Sequence, residues 1–515
     1  MAEDTSIKTR RIAKNTVMLY IRSLFNLFVS LYTSRLILQA LGVDDYGLYG
    51  VVGSFVGMFS IASNALSGAI SRTLNYEMGK GNKEELAKVF SLSITIMGII
   101  SVIVLLLTET FGLWFLNNRM TIPPGRETAA FWCFQFSILA SFSKFLVIPF
   151  NSSIIAHEKM DIYAYIGIFE VLCHLFIALY LAFGNPSLDV LVAYAGLWLI
   201  VTLTIQMISR IYAIRNFKEC RFKWYFEKDR FKELFSYAGW SFIGNTSTTF
   251  AGQGVNMILN VVFGPVVNAA RSLSGTVNNT VQIFVNNFTM AIKPQITQSY
   301  AAGEKEYMKS LLFRGTKFTF FIMFLIAFPL FLETSFVVTL WLGEFPEHTL
   351  NFIRLSLVLN TYNIFYVIFI NGINATGRIR VLQLWISITN FALFPISYVM
   401  MHGGFAPEWV YIINLCLSVV RTGIVLTICH KQLGFSPREV VEKVYFKLIL
   451  VVLVSTVIPL PIYLKMSEGW LRFLTVVPIC IAWSGLVILF VGCDVSERKM
   501  LLNLIQEKVC GRFAR

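Results

Sequence analysis

Residues 89–107 read VFSLSITIMGIISVIVLLL, nineteen positions without a charge. At about 1.5 Å per residue a helix of this length spans about 28 Å, close to the ~30 Å apolar thickness of a bilayer. The stretch lies inside a longer apolar run at about 87–116. Outward from it, similar runs recur at about 12–40, 46–71, 128–155, 162–183, 188–209, 235–262, 266–292, 311–340, 349–375, 381–401, 408–429, 446–464 and 470–492. None shows the short alternating pattern of an outer-membrane strand. The expected fold is therefore an all-α integral membrane protein of fourteen transmembrane helices. Composition agrees: of 515 residues, 56% are apolar and 14% charged, against about 25% charged in a soluble protein. A chain so poor in charge cannot cover a surface in water, and 46 Phe exclude disorder. Pro149, Pro329, Pro395, Pro459 and Pro478 fall within runs, where kinks are expected.

The net charge of +14 reports orientation. With the N-terminus in the cytoplasm, loops and tails on that side hold 33 of the 43 Lys and Arg, and the opposite side holds only Arg119, Arg126 and Lys465. That asymmetry fits the positive-inside rule with both termini cytoplasmic, and no nucleic-acid partner is expected. The polar start, Met1 to Lys14, lacks the apolar core of a cleavable signal peptide. The eight Cys form no CxxC pair and behave as small apolar residues. No outward connection is long enough for a domain.

The longest internal loop, 210–233, is basic and falls between the sixth and seventh helices, where a two-lobe protein places its linker. The expected organisation is an N-terminal lobe at 1–209, a C-terminal lobe of helices 7–12 at 234–430, helices 13–14 at 431–493 and a cytoplasmic tail at 494–515. A repeat supports the two lobes. Gly42 corresponds to Gly264, and Gly81-Asn82-Lys83-Glu84 to Gly303-Glu304-Lys305-Glu306. Asn151 with Ala156-His157-Glu158-Lys159 corresponds to Asn371 with Ala375-Thr376-Gly377-Arg378. Six helices separate the copies, so the repeat is parallel.

Four helices, equivalent in the two lobes, carry polar stripes at helical spacing. They are Asn15, Arg22, Asn26, Ser30 and Thr33; Ser60, Asn64, Ser67 and Ser71; Thr249, Gln253, Asn256 and Asn260; and Arg271, Asn278, Gln282 and Asn286. The simplest placement is a shared central cavity, although such groups also glue helices together. Arg22, Arg271 and Lys144 are the candidate cations of that cavity, with Arg421 weaker; Arg35, Arg354 and Arg472 are expected to snorkel outward. Asn26, Asn64, Gln253, Asn256, Asn278 and Gln282 are the expected polar lining. Glu170 and His174, one turn apart, form either a proton relay or a self-satisfied structural pair. Glu109 and Glu333, near outer helix ends, are expected to be hydrated. The cavity helices hold no acid, so an anionic substrate is favoured, phosphate or carboxylate pairing with Arg. No nucleotide loop, metal spacing or catalytic constellation is present, so neither enzyme chemistry nor a cofactor is expected.

The stretch Leu41-Gly42-Val43-Asp44-Asp45-Tyr46-Gly47-Leu48-Tyr49, the second helix to Arg72, and Gly79-Lys80-Gly81-Asn82-Lys83-Glu84-Glu85 resemble bacterial polysaccharide-repeat-unit flippases. These belong to the superfamily of multidrug and toxic compound extrusion pumps and the lipid II flippase. The resemblance implies a V-shaped cavity lined by helices 1, 2, 7 and 8. It also implies alternating access for an undecaprenyl-pyrophosphate-linked oligosaccharide in the bacterial inner membrane, serving capsule or O-antigen assembly, with polysaccharide polymerase machinery as a further partner. Arg22 and Arg271 are similar in placement to cavity arginines of the lipid II flippase. Two rivals stay open: a cation-coupled multidrug exporter of the same fold, and a membrane glycosyl polymerase or ligase.

Overall fold

In lipid each backbone N–H and C=O must find its partner within its own segment, so long apolar runs become helices. A computed structural model describes residues 15–499 except 27, 31, 34–35, 38, 43–44, 46–47, 50–51, 53–59, 119–121, 123–124, 185–188, 226 and 264. Among the described residues every regular element is helical. Residues 15–26 form α1, followed by α2 (Ser60–Lys80), α3 (Lys83–Leu107), α4 (Glu127–Ala156), α5 (Met160–Phe183) and α6 (Val190–Asn216). Then come α7 (Lys228–Phe263), α8 (Pro265–Ala301), α9 (Lys305–Leu332), α10 (Thr349–Thr376), α11 (Arg380–His402) and α12 (Trp409–Leu433). The final apolar segments are Pro437–Lys465 and Trp470–Gly492.

Ten helices among the described residues are long and apolar enough to cross a membrane. Helices α7 and α8 are outside that set although helical throughout, because their polar stripes dilute the apolar surface. Of the fourteen expected runs, 12–40 and 46–71 lie partly outside the described residues. Pro149, Pro329, Pro395 and Pro478 sit within helices. Pro459 instead opens the short helix Pro459–Lys465, at the position where its missing N–H costs nothing.

The chain divides into two units. The first comprises Met1–Thr246 with Lys293–Gly303, the second Ser247–Ile292 with Glu304–Arg515, so α7 and α8 each contribute to both. In the first unit Phe90 and Phe150 meet edge-on at 5.2 Å in one apolar core. A second core gathers Phe134, Ile138 and Tyr194. The second unit packs Phe352 and Leu393 with Val255 and Leu259.

The stretch 210–233 is shorter as a linker than the sequence suggests. Residues 210–216 complete α6 and 228–233 begin α7; charged residues extend a helix where no Gly or Pro stops it. The remaining connection, 217–227, is anchored. Phe217 and Cys220 are buried, the His157 ring stacks on Phe217 at 3.9 Å, and Lys223 N–H donates to Ser91 Oγ at 3.2 Å. Burial pushes the Glu219 carboxyl up, but bonds from His157 and its own backbone N–H outweigh this and hold it below the usual range.

The repeat is written into the backbone. Gly81 and Gly303 both adopt positive φ, +74° and +77°, just past helix ends. Glu158 and Gly377, equivalent in the third repeat pair, do likewise at +56° and +77°. Gly42 has φ +75°, while Gly264 lies outside the described residues. Glu158 ends α4 in a Schellman turn: Lys159 N–H donates to Ile154 O and Glu158 N–H to Ile155 O. A side chain in this conformation costs about 1–2 kcal/mol. Neighbours hold Glu158 in place: Asn15 Nδ2 donates to its carbonyl at 3.2 Å and Gln295 Nε2 to its carboxylate at 3.3 Å. Also within the first unit, Gln298 Nε2 donates to Asn75 Oδ1 at 3.1 Å and to Ala156 O at 2.9 Å. Gly79 permits this approach, since a β-carbon there would fall 2.3 Å from Gln298 O.

Ion pairs fasten both units. Arg126 bridges Asp45 and Asp189, its Nε reaching Asp45 Oδ1 at 2.8 Å. One of the three expected outward cations is thus held by two acids. Burial pushes the Asp189 carboxyl up, but Arg126 and the N–H groups of Val192 and Leu191 hold it below the ordinary range. In the second unit Lys317, buried in α9, binds Glu497 at 2.7 Å and Asp494 at 2.9 Å. Burial raises Asp494, yet Lys447 and Lys317 bring it down to about 2.

The expectation for Glu333 and Arg472 is overturned. Glu333 is fully buried rather than hydrated, and Arg472 turns inward rather than snorkelling. Arg472 Nε meets Glu333 Oε1 at 3.0 Å and Nη2 meets Oε2 at 3.0 Å. Each charge satisfies the other's need for a partner, which water at the helix end would otherwise supply.

Two outcomes follow. Arg472→Met strands the buried Glu333 carboxylate and should lower stability by about 3–5 kcal/mol, while Arg472→Met with Glu333→Leu recovers most of it, read by thermal unfolding in detergent. Because Asp189 is held low, its contribution is complete above the ordinary aspartate range and fades as pH falls through its lowered value. The stability gap between wild type and Arg126→Gln should therefore be constant from about pH 5 to 8 and shrink below about pH 4.

Candidate functional site

Helix α5 presents Tyr163, Gly167, Glu170 and His174 at steps of 4, 3 and 4, so they share one face. Arg22 of α1 lies against that face. Its guanidinium carbon stands 4.5 Å from the Tyr163 ring centre, a cation–π contact. Gly167 makes the room: a β-carbon there would fall 2.4 Å from Arg22 Nε and 2.9 Å from Cζ. Farther along, His174 Nε2 and Glu170 Oε1 are 4.0 Å apart, and the His174 ring stacks on Trp198 of α6 at 3.7 Å. Lys144 of α4 is exposed. Among the described residues Arg22 Nε and His174 Nδ1, both buried, have no hydrogen-bond partner.

The first unit thus sets Arg22 against the face of α5 that carries Glu170 and His174, while Lys144 stands apart, exposed on α4. Asn26, one turn beyond Arg22, is half-buried and its Oδ1 has no partner among the described residues. Asn64 on α2 is exposed.

In the second unit Arg271 stands near the start of α8. Its guanidinium carbon is 5.9 Å from the Tyr411 ring centre, and Nη1 is buried without a partner among the described residues. Among the described residues no carboxylate pairs with it. The next turns of α8 bond within the unit: Ser274 Oγ donates to Ser356 Oγ at 3.2 Å, and Asn360 Nδ2 donates to Asn278 Oδ1. Asn278 therefore serves α8–α10 packing, the role that helix glue assigns to such groups. Gln282 is half-buried on the same face. Asn256 is half-buried and engaged with neighbours, and the Gln253 side chain lies outside the described residues. Arg421 of α12 is buried among neutral oxygens, donating to Thr389 Oγ1 at 3.1 Å, Asn414 Oδ1 at 3.2 Å and Ser418 Oγ at 3.4 Å.

Sequence reasoning missed two elements of these sites. Tyr163 and Gly167 cradle Arg22, and their spacing with Glu170 and His174 was the available signal. The α8 polar face continues from Asn286 through Thr289 to Lys293, steps of 3 and 4; Lys293 counts in the sequence as a loop cation and in the structure as helical. Among the described residues no group of three or more His, Cys, Asp or Glu is placed to hold a metal ion.

The polysaccharide biosynthesis protein family matches residues 35–345. No curated protein matches the chain. Among solved structures, a MATE transporter in the straight conformation superposes with TM-score 0.71 at 12% identity, over 83% of this chain and 96% of that one. A MOP superfamily transporter from Pyrococcus furiosus, described as having a binding pocket of reverse polarity that suggests a different function, gives 0.67 at 14% identity, over 82% and 97%. A mutant MATE transporter from Vibrio cholerae gives 0.68 at 17% identity, over 84% and 98%. At these identities the likeness shows a shared fold: the chain is a multi-pass membrane protein built like these transporters.

Gly167→Ala should displace the Arg22 guanidinium and destabilise the protein by about 1–3 kcal/mol. Arg22→Ala combined with Gly167→Ala should relieve most of that loss, since the clash is with Arg22 alone. Thermal unfolding of both single variants and the double variant checks it. Gly196→Ala, where the nearest side-chain atom is 3.5 Å from the added carbon, should be nearly neutral.

Proposed function

We propose, for a chain that belongs to the polysaccharide biosynthesis protein family, that it is a flippase moving undecaprenyl-pyrophosphate-linked oligosaccharide repeat units from the cytoplasmic to the outer leaflet of the bacterial inner membrane by alternating access. Both termini face the cytoplasm in this reading. The partners are the lipid-linked oligosaccharide, membrane lipid and the polymerase machinery that uses the exported unit, in capsule or O-antigen assembly.

The observation that carries it is Arg271. A half-buried arginine on α8 whose Nη1 is buried, with no hydrogen-bond partner for that nitrogen and no carboxylate pairing with it among the described residues, is costly to keep in a membrane unless something anionic uses it. Arg is suited to phosphate because its planar donors match two oxygens at once. Arg22, cradled by Tyr163 and Gly167, supports the same chemistry in the first unit, and Lys144 adds a second cation there. Asn26, Asn64, Gln253, Asn256 and Gln282 are the groups offered to sugar hydroxyls. No chemical step is assigned; the role is translocation.

The multidrug-exporter reading predicts a different phenotype. A strain lacking its own flippase should regain surface polysaccharide when given the wild-type gene. Arg22→Ala and Arg271→Ala, at matched expression, should each lower it by about 10- to 100-fold, the worth of a charge-assisted contact. Wild type that never restores polysaccharide, in hosts with different repeat units, yet confers resistance to cationic dyes would replace the flippase by the exporter.

A further inference from the structure

Arg421 stands at the midpoint of α12 and is only 9% exposed. Each of its three nitrogens finds an oxygen. Nε donates to Thr389 Oγ1 of α11 at 3.1 Å, Nη2 to Asn414 Oδ1 at 3.2 Å and Nη1 to Ser418 Oγ at 3.4 Å. None of these oxygens is charged, and α10, α11 and α12 contain no Asp or Glu. A charge buried in a membrane ordinarily meets an opposite one, as Arg472 meets Glu333. Arg421 meets neutral acceptors instead.

Those acceptors are arranged for a cation. Thr389 Oγ1 donates its own hydrogen to Ile386 O at 2.9 Å, and Ser418 Oγ donates its hydrogen to Asn363 Oδ1 of α10 at 2.9 Å. Asn363 Oδ1 also accepts from Tyr366 OH at 3.1 Å. With their hydrogens committed elsewhere, both hydroxyls turn lone pairs toward the guanidinium, and Asn414 adds an amide oxygen. Neutral oxygens presented in this way are the groups that replace the hydration shell of a small cation. Arg421 also differs from Arg271, whose Nη1 has no partner among the described residues. The Arg421 site is filled, not waiting for an anion.

We propose that Arg421 is a tethered cation: its guanidinium fills an oxygen-lined site in the second unit that, without it, takes a free monovalent cation. A charge joined to the chain by covalent bonds cannot be released on either side of the membrane. This site therefore couples transport to no ion gradient, whatever molecule is transported. The inference goes beyond the flippase reading and does not depend on it.

The test uses purified full-length protein in detergent. Thermal unfolding midpoints of wild type and Arg421→Ala are compared in sodium, potassium and methylguanidinium chloride. Choline chloride at the same concentration, a bulky cation shielded by methyl groups, sets the baseline. In at least one of the three small cations Arg421→Ala should gain about 2–4 °C beyond the wild-type response, and the gain should saturate. No excess over wild type in any of them overturns the proposal. A second comparison separates charge from hydrogen bonding, because Arg421→Gln keeps donors without charge and Arg421→Lys keeps the charge. A tethered cation requires Arg421→Lys to melt above Arg421→Gln. Arg421→Gln melting at or above Arg421→Lys overturns the proposal, and this comparison decides alone if Arg421→Ala does not fold. Surface polysaccharide is read in neither arm, so failure here leaves the flippase reading standing.

Discussion

A charge inside a bilayer has no water to fall back on, and this constraint organises the structure. Backbone groups answer it by forming helices, and side chains by finding partners within their own unit. The result is a set of intramembrane cations, each handled in its own way. Arg472 is neutralised by Glu333. Arg421 is held by three neutral oxygens. Arg22 leans on an aromatic ring over a glycine, and among the described residues Arg271 has only the Tyr411 ring. Read in that order they run from finished to unfinished. Structural roles belong at the finished end, and functional interest at the other.

The same constraint explains why the two most polar helices still hold their place. Helices α7 and α8 carry too many Ser, Thr, Asn and Gln to pass as simple membrane spans, yet they are continuous. Their polar groups are absorbed in part by neighbouring helices, as Asn390 does for Ser247 and Thr248 and Asn360 for Asn278. Polarity on one face is thereby compatible with a helix in lipid, and what is left over is available to a ligand.

Much of this was legible in the sequence. Uninterrupted apolar runs reveal helices because the bilayer sets their length, and the repeat could be followed because helix-ending turns leave marks such as Gly81 and Gly303. The Glu170–His174 neighbourhood was visible as an i, i+4 pair. What could not be read was pairing across long separations. Arg472 and Glu333 lie 139 positions apart, and nothing local distinguishes a snorkelling arginine from one that turns inward. The joining of Arg22 to the α5 face was hidden for the same reason, although Tyr163 and Gly167 supplied the spacing. The ends of 210–233 were misread because charge marks where a membrane stops, and a helix can continue past that point.

Glu158 carries information of another kind. Its equivalent in the second copy of the repeat is Gly377, with the same left-handed backbone, so the chain contains its own comparison at this turn. One copy carries the residue that the geometry favours; the other carries a carboxylate that Gln295 binds. The duplication thereby separates what the fold requires, a turn that tolerates positive φ, from what one half has added to it. Where the copies agree, the turn itself is the requirement; where the side chain differs at a conformational cost, its contact with Gln295 offsets part of that cost.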